Sequence, residues 1–439
     1  MTAAHLTALS GGPASPQRGI GRILARRAIE AIGYALFGLL IFLIGFDISQ
    51  PSPYDFLALP VIVLWLALGI RMPRGAFVFM ALLLVYCLGI FLALVPYLDQ
   101  EDSVTWAVTS LYLAITAMFF AMFFSDDSER RLELALKAFL ACCLVSAAAG
   151  IMGYFDILGT VALFTDMDRA TGTFDDPNIF GSFLILGVLY VFRDLLTGEG
   201  RRPLLGVLLL PVLLAGVFLA FSRGTWLVTV IAAAVLLWMT FATSRSLRVR
   251  RRIVLLSFVT VVFGSASIVG LLAIEDVRGM FEERALIVQP YDTGETGRFG
   301  QQLRAIPELI ERPNGFGPMR YRYMFRYDPH NTYLNSFAVG GWIAGFAFLA
   351  LVLATTFVGL RLSMRPSPYQ RHAQILFATH LTFVLQSLQI DLDHWRHVYL
   401  VWGAIWGLEA ARLRWLAGQR HAAASHWGEA RPFASASVR

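Results

Sequence analysis

The chain has 439 residues, 57% of them hydrophobic and 15% charged, with a net charge of +6 and a mean hydropathy of +0.63. Soluble globular chains carry roughly 25% charged residues, and an apolar excess this large would leave exposed patches that no soluble fold tolerates. A water-soluble enzyme, a disordered chain and a disulfide-stapled secreted domain are excluded, and an integral membrane protein remains.

Residues 1–30 read as an N-terminal tail carrying Arg18, Arg22, Arg26 and Arg27. No small-residue cleavage site follows the apolar stretch after it, so that stretch is expected to remain as an anchor. Continuous apolar runs lie near 31–49, 56–71, 76–96, 104–124, 134–155, 178–194, 204–222, 225–243, 253–273, 332–360, 373–391 and 397–412. Continuous runs mark helices, because barrel strands would show short alternating segments instead. The spacing predicts an all-α polytopic membrane protein of about twelve transmembrane helices, each needing about 20 residues. Nine would fall in 31–273, a long loop in 274–330, three more in 331–412, and a C-terminal tail in 413–439. The extreme ends, 1–17 and about 416–439, are rich in Ala, Ser and Gly and read as disordered tails. Cys87, Cys142 and Cys143 all lie inside apolar runs and read as small core residues.

Arginine placement gives the orientation. Lys137 is the only lysine. With the N-terminus inside, the even-numbered gaps are cytoplasmic, and they hold Arg71 and Arg74; Arg130 and Arg131; Arg193, Arg201 and Arg202; Arg245 to Arg252; and Arg361, Arg365 and Arg371. The tail adds Arg412, Arg414 and Arg420, whereas the outer gaps 49–55 and 96–103 contain no basic residue. This is the asymmetry of the positive-inside rule, with both termini cytoplasmic. Basic charge of this kind points to membrane lipid, not nucleic acid. The long gap 274–330 then lies outside and carries many arginines, Arg298, Arg304, Arg312, Arg320, Arg322 and Arg326 among them.

The chemistry-bearing motifs follow in chain order. Arg169 precedes Thr171-Gly172-Thr173-Phe174-Asp175-Asp176-Pro177-Asn178, good turn and helix-start chemistry with Arg169, Asp175 and Asn178 as candidate substrate contacts. Ser222-Arg223-Gly224 sits in a nearly absent outer loop. An arginine near the bilayer costs at least ~2.5 kcal/mol on insertion scales unless paired or hydrated. It either snorkels to lipid headgroups or clamps an anion, for which its planar fork suits phosphate oxygens.

Gly297-Arg298 opens an amphipathic stretch (Leu303, Ile306, Leu309, Ile310) that would lie on the membrane surface or line a cavity. Gly315 and Gly317 read as a turn and lack the spacing of a nucleotide phosphate loop. Asp328-Pro329-His330-Asn331 falls at the mouth of the tenth run, and an imidazole with pKa near 6.5 is the default general base near neutral pH. Asp391-Leu392-Asp393-His394 packs charge between the last two runs. Two carboxylates one residue apart could hold a divalent cation or simply belong to helix ends.

Taken together, Gly172-Thr173-Phe174 with Pro177-Asn178, Ser222-Arg223-Gly224, Gly297-Arg298, and His330-Asn331 with Leu334 and the following glycines resemble the O-antigen ligase and polysaccharide polymerase superfamily of bacterial inner-membrane glycosyltransferases. The likeness runs from about 165 to 405. It implies a glycan donor carried on undecaprenyl diphosphate, transfer to lipid A core (ligase) or to a lipid-linked glycan (polymerase), and inversion without nucleotide sugar, cofactor or obligatory metal. It also implies a multi-pass protein of the bacterial inner membrane with its active site facing the periplasm. Carried onto this chain, His330 would deprotonate the acceptor while Arg223 and Arg298 grip the diphosphate. Asn331, Arg320, Asp393 and His394 join the candidate substrate contacts. A secondary transporter of about twelve spans is the rival from another class, but transporters usually show two related halves and polar groups at the midplane, whereas here the polar groups cluster on one face.

Overall fold

The computed structural model describes residues 16–47, 51–198, 203–285, 294, 297–325 and 327–429. Arg201, Arg202, Arg326 and the outermost parts of both expected tails lie outside them. A helix occupies every apolar run: α1 (Pro16–Leu43), α2 (Pro53–Ala67), α3 (Phe77–Leu94), α4 (Glu101–Ser125) and α5 (Ser128–Tyr154). A single turn, α6 (Val161–Phe164), leads into a two-residue hairpin, β1 (Thr165–Asp166) and β2 (Arg169–Ala170), which pairs antiparallel in the register Asp166 to Arg169. The chain continues through α7 (Pro177–Thr197), α8 (Pro203–Leu219), α9 (Arg223–Thr243) and α10 (Leu247–Leu272). Among the described residues of the long polar segment, three helices form: α11 (Glu275–Ala285), α12 (Arg298–Glu311) and α13 (Tyr321–Phe325). The last three are α14 (Thr332–Met364), α15 (Gln370–Gln386) and α16 (Arg396–Glu429).

The protein is an all-α polytopic membrane protein. Among the described residues, seven helices are long and apolar enough to cross a membrane: Arg74–Tyr97, which contains α3, and α4, α5, α7, α9, α10 and α14. The apolar helices α2 and α8 are shorter, so a count of about twelve needs these two, α1, α15 and α16 to cross as well. Outward side chains on α9 and α10, such as Leu227, Val230, Val254, Phe258 and Val261, are more than half exposed and suit contact with acyl chains. The interior holds an aromatic cluster in which Phe37 stacks on Phe123 at 3.9 Å between ring centroids.

Close helix contacts use small residues, as expected where lipid tails are as apolar as leucine and packing must drive association. A Cβ on Gly89 of α3 would meet the Gly340 carbonyl of α14 at 2.8 Å. One on Gly403 of α16 would meet the Ala117 carbonyl of α4 at 2.7 Å.

Helix α14 is broken. Gly341 has φ 64° and ψ −159°, a region essentially reserved for glycine. The chain after α12 fills the gap: Trp342 donates its N–H to the Pro313 carbonyl at 2.8 Å, and Phe316 and Gly317 donate theirs to Ala338 at 2.7 and 3.1 Å. Gly315 and Gly317 take φ of 70° and 100° there, the turn expected from their spacing. Irregular backbone is tolerated in a membrane helix only where protein re-satisfies the freed groups, and this loop does so. Helix α12 is thereby fastened to the helix that begins beside His330.

Candidate functional site

The site grows from the start of α14. Asn331 is its N-cap, and its side chain accepts the Leu334 N–H at 3.0 Å. Immediately before it, His330 adopts φ 47°, a left-handed conformation that costs a residue with a side chain roughly 1–3 kcal/mol. The Asp391 carboxylate holds it there: Oδ2 accepts the His330 N–H at 2.8 Å and Oδ1 the Asn331 N–H at 3.0 Å. Two such hydrogen bonds, about 0.5–1.5 kcal/mol each, act against that strain. Thr332 completes the lacing, with its N–H on the Ser387 carbonyl at 2.8 Å and its hydroxyl on that of Ile390 at 2.8 Å.

Helix α12 brings the second element. Its amphipathic pattern is real: Gln301, Ala305 and Leu309 are buried, while Phe299, Leu303, Ile306 and Ile310 are exposed. Arg298, in its first turn, donates to the Gln389 carbonyl at 3.2 Å. One turn on, Gln302 donates its amide to the Pro329 carbonyl at 2.7 Å. Between α12 and α14 opens a cleft of about 470 Å³, lined by Ile306, Leu309, Ile310, Phe337 and Phe346, with Asn331 at its polar end.

The third element is the α8–α9 turn. Phe221 has φ 43°, and the Ser222 hydroxyl caps α9 by accepting the Thr225 N–H at 3.4 Å. Arg223 is therefore the first helical residue, half-buried. Gly224 next to it lies so close to Gln389 that a Cβ would come 2.2 Å from the Gln389 amide nitrogen. From the hairpin, Arg169 braces this turn, donating to the Ala220 carbonyl at 2.9 Å and to Asn178 Oδ1 at 3.0 Å. Asn178 lies in the first turn of α7 and donates its backbone N–H to the capping Asp176 side chain at 2.6 Å.

Segment 389–391 is thus a common anchor. The Arg223 turn abuts Gln389, Arg298 donates to its carbonyl, and Asp391 fixes His330. Arg169 and Asn178 belong to the same assembly through Ala220. The remaining expected residues sit differently. Arg320 is committed to Asp102 at 2.6 Å and to Gln100 at 3.3 Å, at the start of α4. His394 bonds to Ser110 at 2.8 Å and stacks on Trp106; burial lowers its pKa to about 3, so the ring is neutral. Asp175 is exposed on the turn before α7. The adjoining Thr173 is structural, its hydroxyl donating to the Gly45 carbonyl at 2.5 Å and lying 2.9 Å from the Ser146 hydroxyl.

Asp393 accepts the Asn335 amide at 3.0 Å, so it and Asp391 turn to different partners instead of converging on a cation. Among the described residues no group of three His, Cys, Asp or Glu is arranged to hold a metal ion. Burial first, and then the nearby Asp393 charge, pushes the Asp391 carboxyl above the usual carboxylate range; burial raises Asp393 too.

With this geometry in hand, the comparison with known families is direct. Residues 205–349 match the family model described as O-antigen ligase. The match covers a minority of the chain and makes that segment similar to the O-antigen ligase family. No curated protein matches the chain. The matched segment runs from α8 to the middle of α14 and contains Arg223, Arg298, His330 and the Gly341 break.

The anchor that gathers those three residues, Gln389 to Asp391, lies outside the matched segment. Sequence reasoning missed Gln302 and Gln389. Gln302 was within reach, since four residues from Arg298 on a helix is one face. Gln389 carries no local signal at all.

Proposed function

We propose that the protein transfers a glycan from undecaprenyl diphosphate to an acceptor hydroxyl at the periplasmic face of the bacterial inner membrane, with lipid A core as acceptor. What carries the reading is the common anchor: two arginine-bearing helix starts and a histidine turn all tied to residues 389–391. The arginine asymmetry between alternate gaps supports the outward orientation.

His330 takes the proton of the acceptor hydroxyl as its oxygen attacks the anomeric carbon. The bond from that carbon to the diphosphate breaks with inversion, and the leaving group's charge develops between Arg223 and Arg298. Preorganised donors of this kind contribute roughly 3–4 kcal/mol each to the transition state, and a positioned base typically adds about 10²–10⁴-fold. The two guanidinium groups supply the charge a metal would otherwise bring. The apolar cleft beside Asn331 falls in the usual range of ligand pockets, about 300–1,000 Å³, and suits the polyprenyl chain of the donor.

The test is in vitro transfer from an undecaprenyl-diphosphate-linked glycan, with lipid A core and a lipid-linked glycan offered side by side, with and without chelator. His330→Ala and Arg223→Ala are expected to accumulate normally and to lose transfer, and chelator to change nothing. Wild-type transfer by either variant at normal abundance would overturn its assigned role. Transfer to the lipid-linked glycan alone would make the protein a polymerase.

A further inference from the structure

The peptide group joining Pro329 to His330 is held at both ends by side chains from different parts of the fold. Its N–H is donated to Asp391 Oδ2 at 2.8 Å, and its carbonyl accepts the Gln302 amide at 2.7 Å. A peptide group is planar and stiff, so holding its oxygen and its hydrogen restricts how it can turn. The next peptide is held as well, through the Asn331 N–H on Asp391 Oδ1 at 3.0 Å, and the two together constrain the φ of His330, 47°, and the direction in which the imidazole leaves the backbone.

The two grips differ in character. Asp391 belongs to the connection between α15 and α16, laced to the start of α14 by the Thr332 bonds. Gln302 belongs to α12, one turn from Arg298, whose guanidinium rests on the Gln389 carbonyl at 3.2 Å. The other end of α12 is fastened through the Trp342 indole, which donates to the Leu309 carbonyl at 3.1 Å. A ligand pulling on Arg298 therefore acts on the same helix turn that grips the His330 peptide.

We infer that Gln302 is a positioning residue: it couples α12 to the His330 peptide, so that an anionic lipid diphosphate engaged by Arg298 also aligns the imidazole. This rests on the transferase reading above and adds a control of its base. Small displacements suffice, because an error of about 1 Å in a catalytic group lowers a rate roughly 10²-fold. Diphosphate on Arg298 would tighten the hold that α12 already has on this turn through Gln302, so the base is best aligned once the donor has arrived.

The experiment uses the full chain in lipid nanodiscs, following amide hydrogen exchange across residues 327–335 with and without added undecaprenyl diphosphate. In the wild type, undecaprenyl diphosphate is expected to slow exchange at His330 and Asn331. In Gln302→Leu, exchange there is expected to be about tenfold faster and indifferent to the lipid. With a lipid-linked glycan donor, kcat should fall about 10–100-fold while KM for the donor stays within about twofold. Gln302→Glu provides a second readout. Its carboxylate cannot donate, whereas its protonated form can, so its kcat relative to the wild type should recover as pH falls from about 7.5 toward the carboxyl range near 4–5.

Unchanged exchange in Gln302→Leu, or a Gln302→Glu deficit independent of pH, overturns the inference. A wild type that transfers to no acceptor would sink the transferase reading, and the exchange result would still decide the coupling.

Discussion

The Asp391 carboxylate bridges the His330 and Asn331 amides, one oxygen to each N–H, at 2.8 and 3.0 Å. Replacing it by asparagine keeps the shape but turns an NH2 toward one of those donors. A buried donor left unsatisfied costs roughly 1–3 kcal/mol, and here that loss would be felt in the strained turn. Asp391→Asn is expected to lower transfer by about 10–100-fold, since about 1.4 kcal/mol is tenfold, at normal abundance. Quantitative transfer assays on matched amounts of protein check this; a rate within threefold of wild type would mean that the turn holds without the bridge.

Burial raises both Asp391 and Asp393, and the sign of the consequence is fixed. Above the ordinary carboxylate pKa of about 3.9, the unfolded chain has released its protons while the folded pair still holds one. Stability therefore falls as pH rises from about 4 through the raised folded values, because the folded state binds more protons there. Asp393→Asn removes one carboxyl and the charge that acts on its neighbour, so the decline should be shallower. Thermal unfolding of both proteins across pH 4–8 decides it, and a wild-type curve that rises with pH relative to the variant would contradict the raised values.

Much of the scaffold could be read in advance, for a definite reason. Lipid demands continuous apolar segments, so each helix from α1 to α16 that crosses or lines the bundle announced itself by composition. The break at Gly341 did not, because the run 332–360 stays apolar through it and hydropathy says nothing about which carbonyls are bonded. Helix-start signals could be read where the chemistry is local, and Asp176 of the Asp-Asp-Pro-Asn stretch caps α7; the caps of α9 and α14, Ser222 and Asn331, came from the structure. Such signals failed to separate Arg298 from Arg320. Both are arginines of the same polar segment, and only contacts far apart in sequence send one to Gln389 and the other to Asp102. The double hold on the His330 peptide likewise joins residues that no local pattern connects.

Gly341 is where a single methyl group should be felt most. A Cβ there would lie 2.1 Å from the Pro313 carbonyl oxygen, a backbone atom that cannot swing aside, and φ of 64° with ψ of −159° adds strain of roughly 1–3 kcal/mol. Gly341→Ala is expected to lower the unfolding temperature and to loosen α12 from α14. Trypsin should then cut faster after the exposed Arg304, which limited digestion followed by mass spectrometry would detect. Unaltered cleavage would show that α12 is held by its other contacts.

Arg396, at the start of α16, is the anchor behind the site. It reaches Asp47 at 2.8 Å and both oxygens of Asp55 at 2.8 and 3.1 Å, with its side chain only 11% exposed. Removing one partner of a buried ion pair costs about 3–5 kcal/mol, because the other charges stay behind without compensation. Arg396→Leu is therefore expected to deplete folded protein severely. Arg396→Leu combined with Asp47→Asn and Asp55→Asn should restore much of the yield, since the stranded charges are gone. The fork geometry also predicts that Arg396→Lys rescues only partly, as an ammonium cannot make the paired bonds to Asp55. Transfer per folded molecule should stay within about threefold of wild type in the triple variant, which distinguishes an anchor from a group that touches substrate. Full yield of Arg396→Leu alone would show that the connection carrying Asp391 is held by packing instead.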